Sequence, residues 1–133
     1  MSRTTFMRLV TAAAWASIAL IAYATLTRAG FVYAIYFKLS PFFMRPEMQT
    51  FAHFEHVIAF AILGAFFALA YPRRIILVFC IVLGSAGLLE MLQTLTPDRH
   101  GTWIDALEKM AGGVGGILFA NFIQRRSAKE TRS

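Results

Sequence analysis

Residues 75–95 read IILVFCIVLGSAGLLEMLQTL, and this stretch decides the fold. Its first fifteen residues carry no charge. At about 1.5 Å per residue, a helix over the whole of residues 75–95 crosses a hydrocarbon core of about 30 Å. Glu90 and Gln93 interrupt it near its far end. A carboxylate at that depth is costly unless it is paired, protonated or hydrated, so Glu90 indicates where the polar chemistry of the protein lies.

The composition supports a membrane protein. The chain has 133 residues, of which 58% are hydrophobic and 15% charged, so it has room for one domain that lipid, rather than protein, must cover. The net charge of +6 comes from basic residues clustered between apolar runs. That pattern favours cytoplasmic loops and anionic lipid headgroups over nucleic acid. The single cysteine, Cys80, excludes a disulfide within the chain.

Three further apolar runs predict three more spans, over residues 9–26, 54–71 and 103–124. The predicted fold is therefore all-α, a four-helix transmembrane bundle over residues 1–126, followed by a disordered polar cytoplasmic tail over residues 127–133. Prolines and aromatic residues between the first two spans predict a short interfacial helix and a loop. Cleavage of the first span as a signal peptide is left open.

Lysines and arginines predict the orientation. Four spans place the N-terminus, the turn after the second span and the C-terminal tail on one side. The other side carries five basic residues. The side with the termini carries eight: Arg3, Arg8, Arg73, Arg74, Arg125, Arg126, Lys129 and Arg132. Both termini are therefore predicted to lie in the cytoplasm, with the chain in the cytoplasmic membrane.

Depth along the predicted spans brings the polar residues to one end. Glu90 lies sixteen residues beyond Arg74, Lys109 sixteen before Arg125, and His56 seventeen before Arg73. These separations correspond to about 24–25 Å, just inside the outer leaflet. Gln93 on the third span and Asp105 on the fourth lie about one helical turn further out. The predicted ligand-binding cluster comprises His56, Glu90, Gln93, Arg99, Asp105 and Lys109.

Structural explanations of the same residues stay open. Thr102 and Asp105 fit a capping box, and Asp105 can also pair with Lys109 one turn along the helix. A structural ion pair of Glu90 with Lys109 or Arg99 is an alternative to a ligand site. Glu108 is expected to be solvated or to reach the interface.

Two glycines continue the Lys109 face of the fourth span. Gly112 and Gly116 form a small-xxx-small pattern, which predicts close packing against another helix.

A metal site from His53, His56, Glu90 and Asp105 has suitable ligand types, but the spacing of the histidines is a weak signal. The sequence therefore predicts neither a metal nor a cofactor.

These motifs together resemble the VanZ-like family of small bacterial membrane proteins. The resemblance rests on Glu90-x-x-Gln93, on Arg99 and Asp105 six residues apart, on Gly112 with Gly116, and on His56 within the sequence FEHVIAF. It covers roughly residues 50–124. Lys109 stands where the family usually has asparagine, and Ala52 and His53 stand where it often has aspartate and lysine. The family's name derives from a protein of resistance to glycopeptide antibiotics, so the resemblance implies a place in the cell envelope.

Three functions follow as expectations. The first is a non-transporting envelope factor that binds a lipid-linked or cell-wall ligand at the outer leaflet, with Arg99 bonding a phosphate or carboxylate. The second is a membrane enzyme acting on a lipid-linked substrate, with His56 or Glu90 as general base. The third is a small proton-coupled transporter, although the polar cluster lies away from the midplane. Membrane lipids are the expected partners, nucleic acid is not, and homo-oligomer formation is left open.

Overall fold

The computed structural model describes residues 2–26, 48–95 and 102–130, with side chains from residue 54 onward in the second range. These residues form four helices and no strand: α1 (Arg3–Leu26), α2 (Met48–Ala70), α3 (Ile75–Thr94) and α4 (Trp103–Glu130). The all-α prediction is therefore confirmed over the described ranges. The predicted interfacial helix and loop fall on residues 27–47, and Arg99 falls on the α3–α4 connection; both lie outside the described residues.

Three of the four described helices are longer than the apolar runs that predicted them, and α3 ends one residue before its run. α1 and α2 each begin six residues earlier, at Arg3 and Met48. Ser2 caps the N-terminus of α1, since its Oγ accepts a hydrogen bond of 3.2 Å from the Thr5 backbone N–H.

The prediction of a disordered tail is wrong for residues 127–130, because α4 continues to Glu130. The residues after Gln124 are mostly strong helix formers, and the Arg126 guanidinium lies 4.5 Å from the centre of the Phe122 ring one turn earlier. Charge alone therefore did not end the helix where the apolar run ended.

Length and hydropathy identify membrane-spanning candidates among the described helices. α1 and α3 are long and apolar enough to cross a membrane, and the apolar part of α2, Phe54–Ala70, is a shorter apolar helix. α4 carries three charged residues in its first two turns. By length and composition, the described part of the chain thus has two candidate spans.

α2 and α4 pack most extensively against each other and form the centre of the protein. A methyl group at Gly112 would overlap the Val57 backbone, and one at Gly116 would overlap the Ala61 backbone. Only glycine allows the two backbones to approach so closely, as in small-xxx-small helix contacts. The same order of these contacts along both helices means that α2 and α4 run parallel. Buried residues from these two helices and α3 fill the core beside the contact: Phe60, Leu63, Phe67, Val78, Val82 and Ile117.

α1 is attached through an aromatic contact with α2. The Trp15 ring meets Phe67 edge-on, with centroids 5.3 Å apart, and its Nε1–H donates a 3.1 Å hydrogen bond to the Tyr71 hydroxyl. Phe67 and Tyr71 stack with centroids 6.1 Å apart. Ala14, next to Trp15, is the one fully buried residue of the helix.

Apolar side chains cover the outside of all four helices. Leu20, Ile62, Ile76 and Phe119 are each more than half exposed. By contrast, three polar or charged residues lie buried in the described interior: Glu90, Gln93 and Lys109. Apolar surface exposed to this extent is typical of a surface that meets a partner or lipid.

Candidate functional site

A buried ion pair joins α3 and α4 near one end of the bundle. Lys109 Nζ donates a hydrogen bond to Glu90 Oε2, and the Lys109 side chain has no accessible surface. Lys109 Nζ also donates to Gln93 Oε1 at 3.1 Å. Glu90 and Gln93 share one face of α3 because they are three residues apart, so one ammonium can bond to both. The ion pair is thus built from one turn of each helix.

The backbone completes the bonding of this cluster. Glu90 Oε1 accepts a 2.7 Å hydrogen bond from the Thr102 backbone N–H, and Gln93 Nε2 contacts the Thr25 carbonyl oxygen at 3.4 Å. Both Glu90 carboxylate oxygens are therefore engaged. Three helix ends meet here: the last turn of α1, the last turns of α3 and the start of α4. We call Glu90, Gln93 and Lys109, with these two backbone groups, the ion-pair network.

The capping interaction predicted at the start of α4 is present in part. The Asp105 backbone N–H donates to Thr102 Oγ1 at 3.1 Å, as in a capping box. In the full motif the acidic side chain three residues later accepts from the N–H of the capping residue. Here the Thr102 N–H donates to Glu90, on a different helix. The helix start is therefore linked to the buried ion pair.

A second polar cluster lies between the start of α2 and the first turns of α4. His56, Asp105 and Glu108 each offer one nitrogen or oxygen atom, and these three atoms lie within 4.8 Å of one another. All three residues are partly buried. Asp105 and Glu108 share a face of α4 because they are three residues apart. We call these three residues the His56 cluster.

Among the described residues, His56 is the side chain with a buried polar atom left without a hydrogen bond. Its Nδ1 atom has almost no accessible surface and no hydrogen-bond partner among them. An unpaired buried polar atom is unfavourable by about 1–3 kcal/mol, so such an atom calls for an explanation. His56 also lies within electrostatic range of the charges of Lys109, Asp105, Glu90 and Glu108, which connects the two clusters.

The structure divides the predicted site residues into two groups. Glu90, Gln93 and Lys109 bond directly to one another, whereas His56 and Asp105 meet Glu108 instead. Arg99 lies outside the described residues. Glu90 is paired with Lys109, one of the two partners that the sequence left open for an ion pair.

Glu108 is the residue that sequence reasoning missed. It was expected to face water or the membrane interface, but its carboxylate lies with His56 and Asp105 and is partly buried. Its three-residue spacing from Asp105 was a usable signal, since that spacing puts both carboxylates on one face of a helix. His56 lies on α2, so only the packing of α2 against that face of α4 brings it to the two carboxylates.

Comparison with known proteins adds no assignment: no family model, curated protein or solved structure matches this chain.

Proposed function

We propose that this chain is a multi-pass protein of the bacterial cytoplasmic membrane, of the VanZ-like type, with four membrane-crossing helices and both termini in the cytoplasm. Support comes from the large apolar side chains exposed on every described helix and from the polar residues buried between the helices. Lipid would cover the exposed apolar side chains at no cost in free energy. The buried polar residues require hydrogen-bonding partners of the kind that the ion-pair network provides. The excess of basic residues at the termini and the α2–α3 turn supports the orientation.

In this membrane, the protein acts as a non-transporting cell-envelope factor that binds a lipid-linked or cell-wall ligand at the outer leaflet, as in resistance to glycopeptide antibiotics. The observation that carries this proposal is that the three buried polar or charged residues of the described chain lie together at one end of the bundle, where His56, Asp105 and Glu108 are partly buried as well. Polar groups at membrane depth are expensive and tend to be functional. Their location at one end, rather than at the midplane, fits a ligand that enters from the outer leaflet and is not transported.

The two clusters have different roles in the proposed site. The ion-pair network forms the base of the site, because Glu90 and Lys109 are already hydrogen-bonded to each other and to neighbouring groups. The His56 cluster is partly exposed and forms the wall that a ligand can touch. Arg99, which precedes α4 in the sequence, supplies charge-assisted hydrogen bonds to a phosphate or carboxylate, a task suited to its planar guanidinium.

Copurification of lipid tests this function. The protein and its Arg99→Ala and Asp105→Asn variants are purified in mild detergent, and the bound lipids are identified by mass spectrometry. We expect a lipid-linked ligand on the wild type and its loss from both variants. Glu55→Gln is the matched control, because Glu55 is an exposed carboxylate one residue from His56. Equal retention of the ligand by both variants and the control would sink the proposal.

A membrane enzyme acting on a lipid-linked substrate is the second candidate, and the His56 cluster is the observation in its favour. An imidazole held beside two carboxylates is a suitable general base. Glu90 is a poor base in this arrangement, because it would have to leave Lys109 to accept a proton. Lipid analysis of a deletion strain separates the two functions: an enzyme leaves an accumulated substrate, whereas a binding factor leaves lipid composition unchanged.

A further inference from the structure

A polar cleft lies at the end of the bundle away from the ion-pair network. It has a volume of about 270 Å³ and is formed by the α2–α3 turn, the start of α3 and one face of α4. The turn contributes Arg73, and α4 contributes Asn121, Gln124 and Arg125, whose spacing of three and four residues puts them on one helix face. Sixteen residues separate Arg125 from Lys109, so the cleft is about 24 Å from the ion-pair network along α4.

The lining of this cleft is basic. Arg73 and Arg125 put two guanidinium groups on its wall, and no acidic residue of the described ranges lines it. Arg74 and Arg126 come directly after them in sequence and add to the local positive charge. A guanidinium presents five N–H donors in a planar fork, which matches the oxygen atoms of a phosphate group. The cleft therefore has the chemistry to recognise an anion that carries a phosphate.

Hydrogen bonds hold the α4 side of the cleft in place. Gln124 Nε2 donates to the Ala68 carbonyl oxygen at 3.2 Å, which ties α4 to the last turn of α2. Asn121 Nδ2 donates to the Ile117 carbonyl oxygen at 2.9 Å, one turn earlier in the same helix. Both amide nitrogens thus already donate within the protein, so the cationic arginines are the main donors for a bound anion.

Exposed apolar side chains adjoin the cleft on both helices. Ile76 follows the lining residue Ile75 on α3 and is 77% exposed, and Phe122 follows Asn121 on α4 and is 54% exposed. A phospholipid joins a phosphate headgroup to acyl chains, so it can contact the arginines and these apolar side chains together. A free phosphate can contact the arginines only. The cleft is also smaller than the pockets of about 300–1,000 Å³ that enclose drug-sized ligands, which suits a headgroup.

We propose that this cleft binds the headgroup of an anionic phospholipid, with Arg73 and Arg125 contacting its phosphate. In the proposed orientation the site lies at the cytoplasmic leaflet, where anionic lipids attract basic residues. The inference rests on the proposed membrane placement and not on the ligand proposed for the outer leaflet. Labelling of Cys80 tests that placement separately, so a failure of the placement and a failure of the lipid site are distinguishable.

Native mass spectrometry of the full chain in a neutral detergent measures lipid binding. Phosphatidylglycerol and phosphatidylcholine with the same acyl chains are titrated separately. We expect one phosphatidylglycerol per chain, bound at least about 10-fold more tightly than the zwitterionic phosphatidylcholine. The double variant Arg73→Gln/Arg125→Gln should weaken phosphatidylglycerol binding about 10- to 30-fold, because two arginine contacts are lost.

The matched control is the double variant Arg74→Gln/Arg126→Gln. It removes the same charge from the next positions in sequence, which are not among the described residues that line the cleft. It should bind phosphatidylglycerol within about 3-fold of the wild type, since charges that do not contact the headgroup are screened by salt. Equal weakening by the two double variants overturns the proposal, because total basic charge would then explain the binding.

A second measurement uses the wild type and so does not depend on the folding of a variant. Phosphatidylglycerol should raise the midpoint of thermal unfolding, because it binds the folded state. Phosphatidylcholine and glycerol 3-phosphate, a soluble headgroup fragment, should not raise it at the same concentration. An equal rise with phosphatidylcholine overturns the selectivity for an anionic lipid. An equal rise with glycerol 3-phosphate overturns the lipid as occupant and assigns the cleft to a soluble phosphate compound.

Discussion

Lys109 and Glu90 are nineteen residues apart in sequence and form an ion pair in which the ammonium is wholly inaccessible. Thr102 and Gln93 complete the bonding of the carboxylate and the ammonium. A buried pair of this kind contributes little net stability over an apolar replacement, yet losing one member leaves an unpaired charge. The pair therefore fixes how α3 and α4 are arranged at the end where the polar groups collect.

Removing Lys109 alone should strongly destabilise the protein. We expect Lys109→Met to lower the free energy of unfolding by about 3–5 kcal/mol, since Glu90 is left buried without its cation. The double variant Glu90→Gln/Lys109→Met should recover most of that loss because no buried charge remains. Unfolding in detergent micelles measures both values. Glu55→Gln, the exposed control, should change stability by less than about 0.5 kcal/mol. A double variant as unstable as the sum of its single variants would contradict the assignment.

Two neighbouring glycines on α4 should respond oppositely to the same substitution. Gly116→Ala should destabilise the protein by about 1–3 kcal/mol, because the new methyl overlaps the Ala61 backbone and forces α2 away. Gly115→Ala meets nothing within 4 Å and should stabilise α4 by about 0.5–1 kcal/mol through helix propensity. The thermal unfolding midpoints of the two variants decide the matter. Equal effects at both positions would show that α2 and α4 do not approach as described.

The cap at the start of α4 should depend on one hydroxyl group. Thr102→Ala removes the oxygen that accepts from the Asp105 N–H, so we expect a loss of about 1 kcal/mol and faster hydrogen exchange at the Asp105 amide. Thr102→Ser keeps an equivalent oxygen and should restore both properties. Exchange that is equally fast in the alanine and serine variants would mean that the hydroxyl does not cap the helix.

Membrane placement can be checked with the native thiol. Cys80 is exposed on α3, six residues beyond Arg74, or about 9 Å along the helix. If α3 crosses the bilayer, lipid covers this thiol, and a water-soluble maleimide should label it in detergent-unfolded protein but not in intact vesicles.

A cysteine at Ser2, in a Cys80→Ala background, serves as the matched accessible site. Ser2 is exposed just before α1, so it should be labelled in inside-out vesicles and protected in right-side-out vesicles. Labelling of Cys80 in intact vesicles as fast as in detergent would contradict the span. The reverse pattern at Ser2 would contradict the orientation.

The helices could be predicted from sequence because their cause is local. Long apolar runs without charge predict helices that hide their own backbone polar groups, and α3 was predicted to within one residue at its end. The starts of α1 and α2 and the end of α4 were less predictable. Polar residues such as Arg126 and Lys129 can extend a helix beyond the apolar run, and hydropathy does not record that tendency.

The sequence by itself determined that the polar residues collect at one end of the bundle, since a helix converts residue number into depth at about 1.5 Å per residue. Only the tertiary structure decided which of them meet. Rotation of each helix about its axis selects the facing side chains, and here that rotation is set by contacts such as Gly112 against Val57. It paired Lys109 with Glu90 and placed Glu108, which looked like a surface residue in sequence, beside His56 and Asp105.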